Sequence, residues 1–300
     1  MKAGQPDRGA LGLMALTVGL WGFSWIVMKT MVPLIGPFDL VMWRYLIAFP
    51  VLLIMLLATR QTLAFPPLWL TLGTAVFQTM AFQCLSQLAL VTGGAGHVVM
   101  LAYTMPFWMA LFAWGLLGEK PTKRHVVGFV LAGVGLTGII APWQGLGSLT
   151  ASFIALAGGV CWGLGAVLAK KMFQRHTLNV LTVTMWQMLL GAVLTWPFTL
   201  IIPQRPIVWG WELSLGLAYM AVGASALGWW LWMSVVRRVS ASVAGISSLG
   251  VPVLTVILAW LLLDERPSAA EVGGIVLILA GLVIVTSAGM RRRLPGAARR

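Results

Sequence analysis

The sequence predicts an all-α integral membrane protein with ten transmembrane helices, arranged as two inverted five-helix repeats. Composition is the first reason, since 60% of the 300 residues are hydrophobic and only 9% are charged, with a mean hydropathy of +0.94. A soluble domain cannot keep so much apolar surface from water, so lipid must surround most of the chain. The other two reasons are a series of long apolar segments and a pattern that occurs twice.

Ten apolar segments have about the length, roughly 20 residues, that a helix needs to cross the hydrocarbon core. The predicted spans are residues 9–29, 38–58, 69–90, 97–117, 126–142, 150–170, 179–202, 211–235, 242–263 and 271–290. They divide the chain into a tail (1–8), a first repeat of spans 1–5 (9–142), a second repeat of spans 6–10 (150–290) and a basic tail (291–300). The short loops leave no room for a soluble domain, so we predict one membrane body.

The repeated pattern is clearest in the fourth span of each half. The run MPFWMALFAWGLLGEKP, which ends at Pro121, returns as VPVLTVILAWLLLDERP, which ends at Pro267. This alignment pairs Pro106 with Pro252. The first span of each half agrees, because a Trp-Gly pair at 21–22 is matched by another at 162–163. We therefore interpret the chain as a duplicated unit.

The basic residues orient the predicted spans. With the N-terminus in the cytoplasm, 16 lysines and arginines fall in inside segments, and only Lys29, Arg205 and Arg266 fall outside. This bias follows the positive-inside rule, and it predicts cytoplasmic N- and C-termini in the inner membrane of a bacterial cell. The net charge of +13 then indicates contact with anionic membrane lipid, not with nucleic acid.

Five spans per repeat is an odd number, so the second repeat enters the membrane from the opposite side. Inverted repeats place a binding site at their interface near the midplane. They also allow inward-open and outward-open states to be built by exchanging the local geometries of the two repeats. The duplication therefore favours a carrier over a receptor or an enzyme.

These features resemble the EamA family of the drug/metabolite transporter superfamily. The resemblance covers roughly residues 9–290 and is carried by the duplicated spans, the Trp-Gly pair of each first span and the Pro-x12-Glu-Lys/Arg-Pro element of each fourth span. Within the family, the Trp-rich spans look most like the YddG-type aromatic amino acid exporters. The resemblance implies a central cavity lined by spans 1–4 and 6–9, with spans 5 and 10 packed at the periphery.

The 16 tryptophans make aromatic side chains the main candidates for a cavity wall. Several lie at span ends, where an interfacial aromatic belt explains them. Trp21, Trp25, Trp162 and Trp186 fall further inside, and helix packing explains each of them as well as a cavity wall does. In a cavity, such rings would stack on a flat or apolar solute or hold an amino group by cation–π contact.

Polar residues within spans form a second set of candidates, because amides in lipid are costly unless they are bonded. Span 3 carries a stripe at helical spacing that includes Thr79 and Gln83, with Gln78 one position aside. Hydrogen bonds between helices explain this stripe as well as a wet cavity wall does. The other polar candidates for substrate binding are Tyr103, Gln187, Tyr219 and Ser247.

Arg44 is the one strongly charged residue within a predicted span. Snorkelling or pairing with Asp39 would explain it without a ligand; contact with a substrate carboxylate or a place in an outer gate would make it functional. Its counterpart in the second repeat is Gln187, so the duplication keeps polarity there but not charge. Pro106 and Pro252 predict helix kinks, and their symmetric placement predicts hinges or gates.

All seven acidic residues fall in tails, loops or span ends, so no mid-membrane carboxylate is available as a proton relay. No Gly-x4-Gly-Lys-Ser/Thr motif supports an ATP-driven pump. We therefore predict a carrier, not an enzyme, without metal or cofactor, whose small-molecule substrate is first of all a neutral aromatic or large apolar amino acid. A same-fold exporter of nucleosides, sugars or drugs and, remotely, a membrane-embedded enzyme are the alternatives, and monomer and homodimer both stay open.

Overall fold

The computed structural model describes residues 8–93, 95–140, 149–263 and 269–287, and the regular elements in these ranges are all helical. Most of the predicted tail 1–8, the tail 291–300 and the second Glu-Arg-Pro copy at 265–267 lie outside these residues. The helices, numbered in chain order, are α1 (Arg8–Met31), α2 (Pro37–Ala58), α3 (Leu68–Thr92), α4 in two halves (Ala95–Ala102 and Met105–Leu117), α5 (Lys123–Ile140), α6 (Leu149–Arg175), α7 (Val180–Ile201), α8 (Trp211–Arg238), α9 in two halves (Ala241–Ser247 and Gly250–Leu263) and α10 (Ala269–Ser287).

In the described ranges, eight elements are long and apolar enough to cross a membrane, namely α1–α4 and α6–α9. The chain is therefore a multi-pass membrane protein. α5 and α10 are not among the eight, and they pack against each other. A Cβ at Gly135 would lie 2.6 Å from the Gly274 carbonyl oxygen, and one at Gly281 would lie 2.8 Å from the Gly128 carbonyl oxygen. These small residues let the two backbones touch.

The fourth helix of each half is interrupted just before its proline. The first half of α4 ends at Ala102 and the second begins at Met105, while α9 is broken between Ser247 and Gly250. Proline has no N–H to donate, and its ring clashes with the carbonyl four residues earlier, so an α-helix does not continue regularly through it. The interruptions predicted at the two prolines are present, whereas their role as hinges stays a prediction.

The third helix of each half contains a wider, π-helical segment. These segments are Ala75–Ala81 in α3 and Tyr219–Leu227 in α8. They end at residues separated by the same spacing as Pro106 and Pro252. π-Helical turns are rare, and they occur frequently at functional sites because they shift side chains and release carbonyl groups from the regular ladder.

One end of the molecule, which we call the Lys29 end, brings together the C-termini of α1, α3 and α7. The Lys29 ammonium group donates to the carbonyl of Gly93 at 3.0 Å, just after α3. The N–H of Val208, which follows α7, donates to the carbonyl of Leu34, which follows α1, at 2.9 Å. The first bond satisfies a carbonyl left unpaired at a helix C-terminus, and the second joins the segments that follow α1 and α7.

The opposite end, which we call the Glu119 end, brings together the C-termini of α4, α6 and α8 and the start of α9. The Lys170 ammonium group donates to the carbonyls of Val236 and Val239 at 3.0 and 2.5 Å. Glu119, which follows α4, accepts from the N–H of Ala241 at 3.0 Å. A carboxylate suits the N-terminus of α9, just as an ammonium group suits the C-terminus of α8.

The glycine contact between α5 and α10 gives a prediction about stability. Gly135→Ala and Gly281→Ala each force a methyl group against a backbone carbonyl, and overpacking of this kind costs about 1–3 kcal/mol. We expect both variants to lower the Tm of the protein in detergent. Gly273→Ala is the matched control on α10, because a Cβ there meets nothing within 4 Å. An equal Tm for all three variants would contradict the close contact.

Candidate functional site

A small closed cavity lies in the middle of the bundle, between α1, α2, α3, α4, α6 and α8. The space that it leaves for the centre of a water-sized sphere is about 20 Å³, close to what one water molecule needs. The helices are thus closed around the site, and a larger solute requires them to move apart. The lining residues are Trp21, Ser24, Trp25, Met28, Arg44, Phe82, Gln83, Tyr103, Trp162 and Trp229.

Trp162 of α6 is the centre of the aromatic wall. Its side chain is fully buried, and its ring stacks on Phe82 of α3 with the centroids 4.5 Å apart. The rings of Tyr103, Trp21 and Trp232 lie 5.0, 5.5 and 5.6 Å from it. Stacked and edge-to-face pairs at these distances are favourable. Trp162 therefore ties α6 to four other helices, namely α1, α3, α4 and α8.

The glycine after each first-helix tryptophan sets how closely the helices approach. A Cβ at Gly163 would lie 2.9 Å from the Met109 nitrogen of α4, and one at Gly22 would lie 2.8 Å from the Leu254 side chain of α9. Only glycine fits against backbone at the first of these positions without a shift of the helices. The Trp-Gly pairs found in the sequence thus combine an aromatic wall on one side with a close helix contact on the other.

The π-helical segment of α8 provides the hydrogen-bond partner of Trp21. The N–H of Gly228 donates to the carbonyls of Gly223 and Ser225. The carbonyl of Ala224, between them, accepts from the Trp21 indole N–H at 3.0 Å. A Cβ at Gly228 would lie 2.5 Å from the same indole nitrogen. The irregular turn and the glycine together therefore make room for this ring and satisfy its polar atom.

Arg44 of α2 lies against the cavity, and its guanidinium group bonds across to α8 and α3. The side chain is only 2% exposed. Its Nε donates to the Ser225 hydroxyl at 2.7 Å, and its Nη1 donates to the Gln83 side-chain oxygen at 3.0 Å. Neither snorkelling nor pairing with Asp39 describes this position. Both hydrogen-bond partners are neutral.

Half of the predicted substrate-binding residues come together at this cavity. The six that line it are Trp21, Trp25, Arg44, Gln83, Tyr103 and Trp162. They come from α1, α2, α3, α4 and α6, and therefore from both repeats. Their contact with a solute stays a prediction.

Three further candidates form a hydrogen-bond network beside the cavity. Gln187 Nε2 donates to the Thr79 hydroxyl at 2.6 Å and to the Gln78 side-chain oxygen at 3.2 Å, and all three residues are buried. The sequence allowed two explanations of the polar residues of span 3, hydrogen bonds between helices or a wet cavity wall. For Gln78 and Thr79 the structure shows hydrogen bonds between helices. The Gln187–Thr79 bond mirrors the Arg44–Ser225 bond, because each joins the second helix of one half to the π-helical segment of the other half.

The last three candidates lie outside the cavity. The Trp186 indole N–H donates to the Leu63 carbonyl at 3.1 Å, and the Tyr219 hydroxyl donates to the Leu20 carbonyl at 2.6 Å. Ser247 is buried at the end of the first half of α9. The polar atoms of Trp186 and Tyr219 thus serve to join neighbouring segments.

The cavity also includes four residues that the sequence analysis did not single out as binding candidates, namely Ser24, Met28, Phe82 and Trp229. Trp229 had a usable signal, since the spacing that pairs Pro106 with Pro252 also pairs Gln83 with Trp229. Phe82 and Met28 look like ordinary apolar residues of a membrane helix. Only their position against Trp162 and Arg44 distinguishes them.

Comparison with known proteins agrees with this architecture. The model of the EamA-like transporter family matches residues 9–141 and 149–287. A probable amino-acid metabolite efflux pump of Salmonella typhimurium is 29% identical over 288 residues, which cover 91% of this chain and 93% of that protein. The uncharacterized transporter YoaV of Bacillus subtilis is 25% identical over 293 residues, covering 95% and 98%. A crystal structure at 21% identity has the same fold, with a TM-score of 0.78 over 96% of this chain and 99% of the other.

The aromatic wall gives a second prediction about stability. Truncating a buried tryptophan costs about 3–5 kcal/mol, so we expect Trp162→Ala to lower the Tm in detergent strongly. Trp69→Ala is the control, because Trp69 is 82% exposed and its loss removes no packing inside the protein. Similar Tm values for the two variants would show that Trp162 is not the centre of the bundle.

Proposed function

Because the chain belongs to the EamA-like transporter family, as the resemblance predicted, we propose that it is a carrier in a bacterial inner membrane that exports small metabolites by alternating access, without ATP. The proposed solutes are neutral amino acids with aromatic or large apolar side chains, as in YddG-type exporters. The observation that carries this proposal is the closed aromatic cavity with an arginine on its wall. Rings offer apolar contact to such side chains, and a guanidinium group suits a carboxylate.

Alternating access in this proposal depends on ten spans in two inverted repeats. α5 and α10 are added to the eight spans described above to make ten. The ends of the first helices support the inversion. α1 ends at the Lys29 end, where its lysine bonds the C-terminus of α3, while α6 ends at the Glu119 end, where Lys170 bonds the C-terminus of α8. This is the opposite orientation of equivalent helices that the proposed inversion requires.

The packing between the two halves supports the same arrangement. α1 contacts α8 and α9, whereas its counterpart α6 contacts α3 and α4, and α2 contacts α7. The contacts of α1 with the third and fourth helices of the second half are thus matched by contacts of α6 with the third and fourth helices of the first half. Two halves related in this way can exchange their local geometries, which is how inverted repeats produce inward-open and outward-open states.

The interrupted helices are the proposed moving parts, with Pro106 and Pro252 as hinges. Irregular backbone at membrane depth is tolerated only where protein covers it or where it lines a cavity. Tyr103 lies in the break of α4 and also lines the cavity. A solute that contacts Tyr103 would therefore act directly on this break.

The positive-inside rule supports a cytoplasmic Glu119 end, and with it cytoplasmic termini. Basic residues of the described chain concentrate there, namely Arg60, Lys120, Lys123, Arg124, Lys170, Lys171, Arg175, Arg237 and Arg238. Glu119 would then act as a latch on the cytoplasmic side. It joins the end of α4 to Ala241 of α9 and, at 3.4 Å, to Gln174 of α6, and both partners belong to the second half.

Transport measurements test the proposed function. Purified protein in liposomes should exchange labelled phenylalanine or methionine across the membrane without ATP. Gln83→Ala should reduce this exchange at least about tenfold, because it removes a hydrogen bond to a charged group in the cavity. Trp69→Ala should exchange like the wild type.

Competition by a panel of solutes separates the amino acid proposal from its alternative. Excess phenylalanine, but not excess uridine or glucose, should block uptake of the label. Uptake of labelled uridine or glucose, insensitive to phenylalanine, would contradict the amino acid assignment and favour a nucleoside or sugar exporter of the same fold.

The latch makes a separate prediction. Glu119→Ala removes the carboxylate from the N-terminus of α9, a change that costs about 1 kcal/mol at a helix N-terminus. Amide hydrogen exchange in Ala241–Ser247 should accelerate roughly fivefold, and exchange in Ala95–Ala102 should not change. Glu212→Ala, at an exposed acid in the first turn of α8, is the control. Equal exchange in α9 of both variants would rule out the latch.

A further inference from the structure

The guanidinium group of Arg44 is buried among partners that carry no negative charge. Besides Ser225 and Gln83, its Nη1 lies 3.7 Å from the sulfur of Met28, and its central carbon lies 5.5 Å from the centre of the Tyr45 ring. The Ser225 hydroxyl donates its own hydrogen to the Met220 carbonyl at 2.7 Å, so it serves Arg44 as an acceptor only. Within the described residues, the other terminal nitrogen, Nη2, makes no hydrogen bond.

Burial of a cation without a counter-charge is costly, and proteins normally offset that cost with a carboxylate. The second half shows that the fold does not need the charge. Gln187 occupies the equivalent position on α7 and makes the equivalent bond to the other π-helical segment. The charge of Arg44 therefore does something other than join α2 to α8.

The polar atoms around the cavity support the same conclusion about Arg44. The indole N–H of Trp162 is buried and has no hydrogen-bond partner within the described residues, whereas that of Trp229 interacts with the Tyr45 hydroxyl. Both rings line the cavity beside Arg44. None of the lining residues is acidic, so the described wall offers a cation and the unpaired Trp162 N–H but no anion. Such a wall fits a ligand that brings acceptors and negative charge.

We propose that Arg44 is the anchor for the carboxylate of the solute, and that the pocket recognises small monocarboxylates with an aromatic or apolar body. The inference rests on the proposed carrier function and narrows its site. The aromatic wall takes the body of the solute, and the guanidinium group takes the carboxylate through charge-assisted hydrogen bonds. The α-amino group is not part of what is recognised, so an aromatic carboxylate without it is also a ligand.

Four probes that differ in one group test this assignment by calorimetry on the purified full-length protein at neutral pH. They are L-phenylalanine, 3-phenylpropionate, which lacks the amine, 2-phenylethylamine, which lacks the carboxylate, and inorganic phosphate, which lacks the apolar body. Phenylalanine and 3-phenylpropionate should bind, and the other two should not. Binding of 2-phenylethylamine as tight as that of 3-phenylpropionate would overturn the carboxylate anchor. Tighter binding of phosphate would overturn the apolar monocarboxylate class.

Two variants then test Arg44 itself. Arg44→Gln copies the residue of the second half, and it should weaken 3-phenylpropionate binding about ten- to a hundredfold. Gln83→Glu places a carboxylate beside the guanidinium group, so it should raise the Tm without ligand and weaken binding to a similar extent. Arg60→Gln is the control, because Arg60 is an exposed arginine just after the same helix. Wild-type affinity in Gln83→Glu, or in a folded Arg44→Gln, would overturn the proposal.

The outcomes also separate this inference from the amino acid assignment. If Arg44-dependent binding is found for 3-phenylpropionate but not for phenylalanine, the anchor stands and the amino acid assignment fails. If phenylalanine binds equally well to the wild type and to Arg44→Gln, the amino acid assignment stands and the anchor fails.

Discussion

Every backbone N–H and carbonyl group at membrane depth must find its partner within the protein, because lipid offers none, and the rest of this structure depends on that constraint. It explains why Lys29, near the end of α1, and Lys170, in the last part of α6, reach the free carbonyls at the ends of α3 and α8. It also explains why the carbonyl of Ala224, in the π-helical part of α8, accepts from Trp21. Irregular backbone is present where a side chain from another helix satisfies it, and these bonds bring the helices of the two halves together.

The same constraint makes the one unequal pair between the halves informative. Arg44 and Gln187 occupy equivalent helices and make equivalent bonds to the opposite half, so either residue would serve the architecture. Of these two residues only Arg44, in the first half, is charged, and it lies beside the cavity. The two halves thus share their helix arrangement but differ at this position. In the proposed carrier the duplicated helices provide the motion, and the charge of Arg44 provides recognition of the solute.

The aromatic wall connects stability to the proposed motion. Trp162 packs against rings from α1, α3, α4 and α8, so the same contacts that hold the bundle together also close the cavity. A space of about 20 Å³ admits no amino acid, and opening must therefore separate some of these rings. The proposed hinge at Pro106 is well placed for this, because Tyr103 belongs both to the break in α4 and to the wall.

The sequence by itself determined the membrane class, the duplication, the interruptions at Pro106 and Pro252 and six of the ten residues of the cavity wall. These follow from hydropathy, from proline chemistry and from the spacing of the repeat, all of which act along the chain. Only the tertiary structure decided that Gln187 bonds to Thr79 instead of lining the cavity, that Phe82 and Trp229 belong to the wall, and that Arg44 has no counter-charge among the residues that the structure describes. An amide, an aromatic ring or a cation in a membrane helix can find hydrogen-bond or packing partners on several neighbouring helices. Which partner it contacts depends on the residues of other helices that lie opposite it.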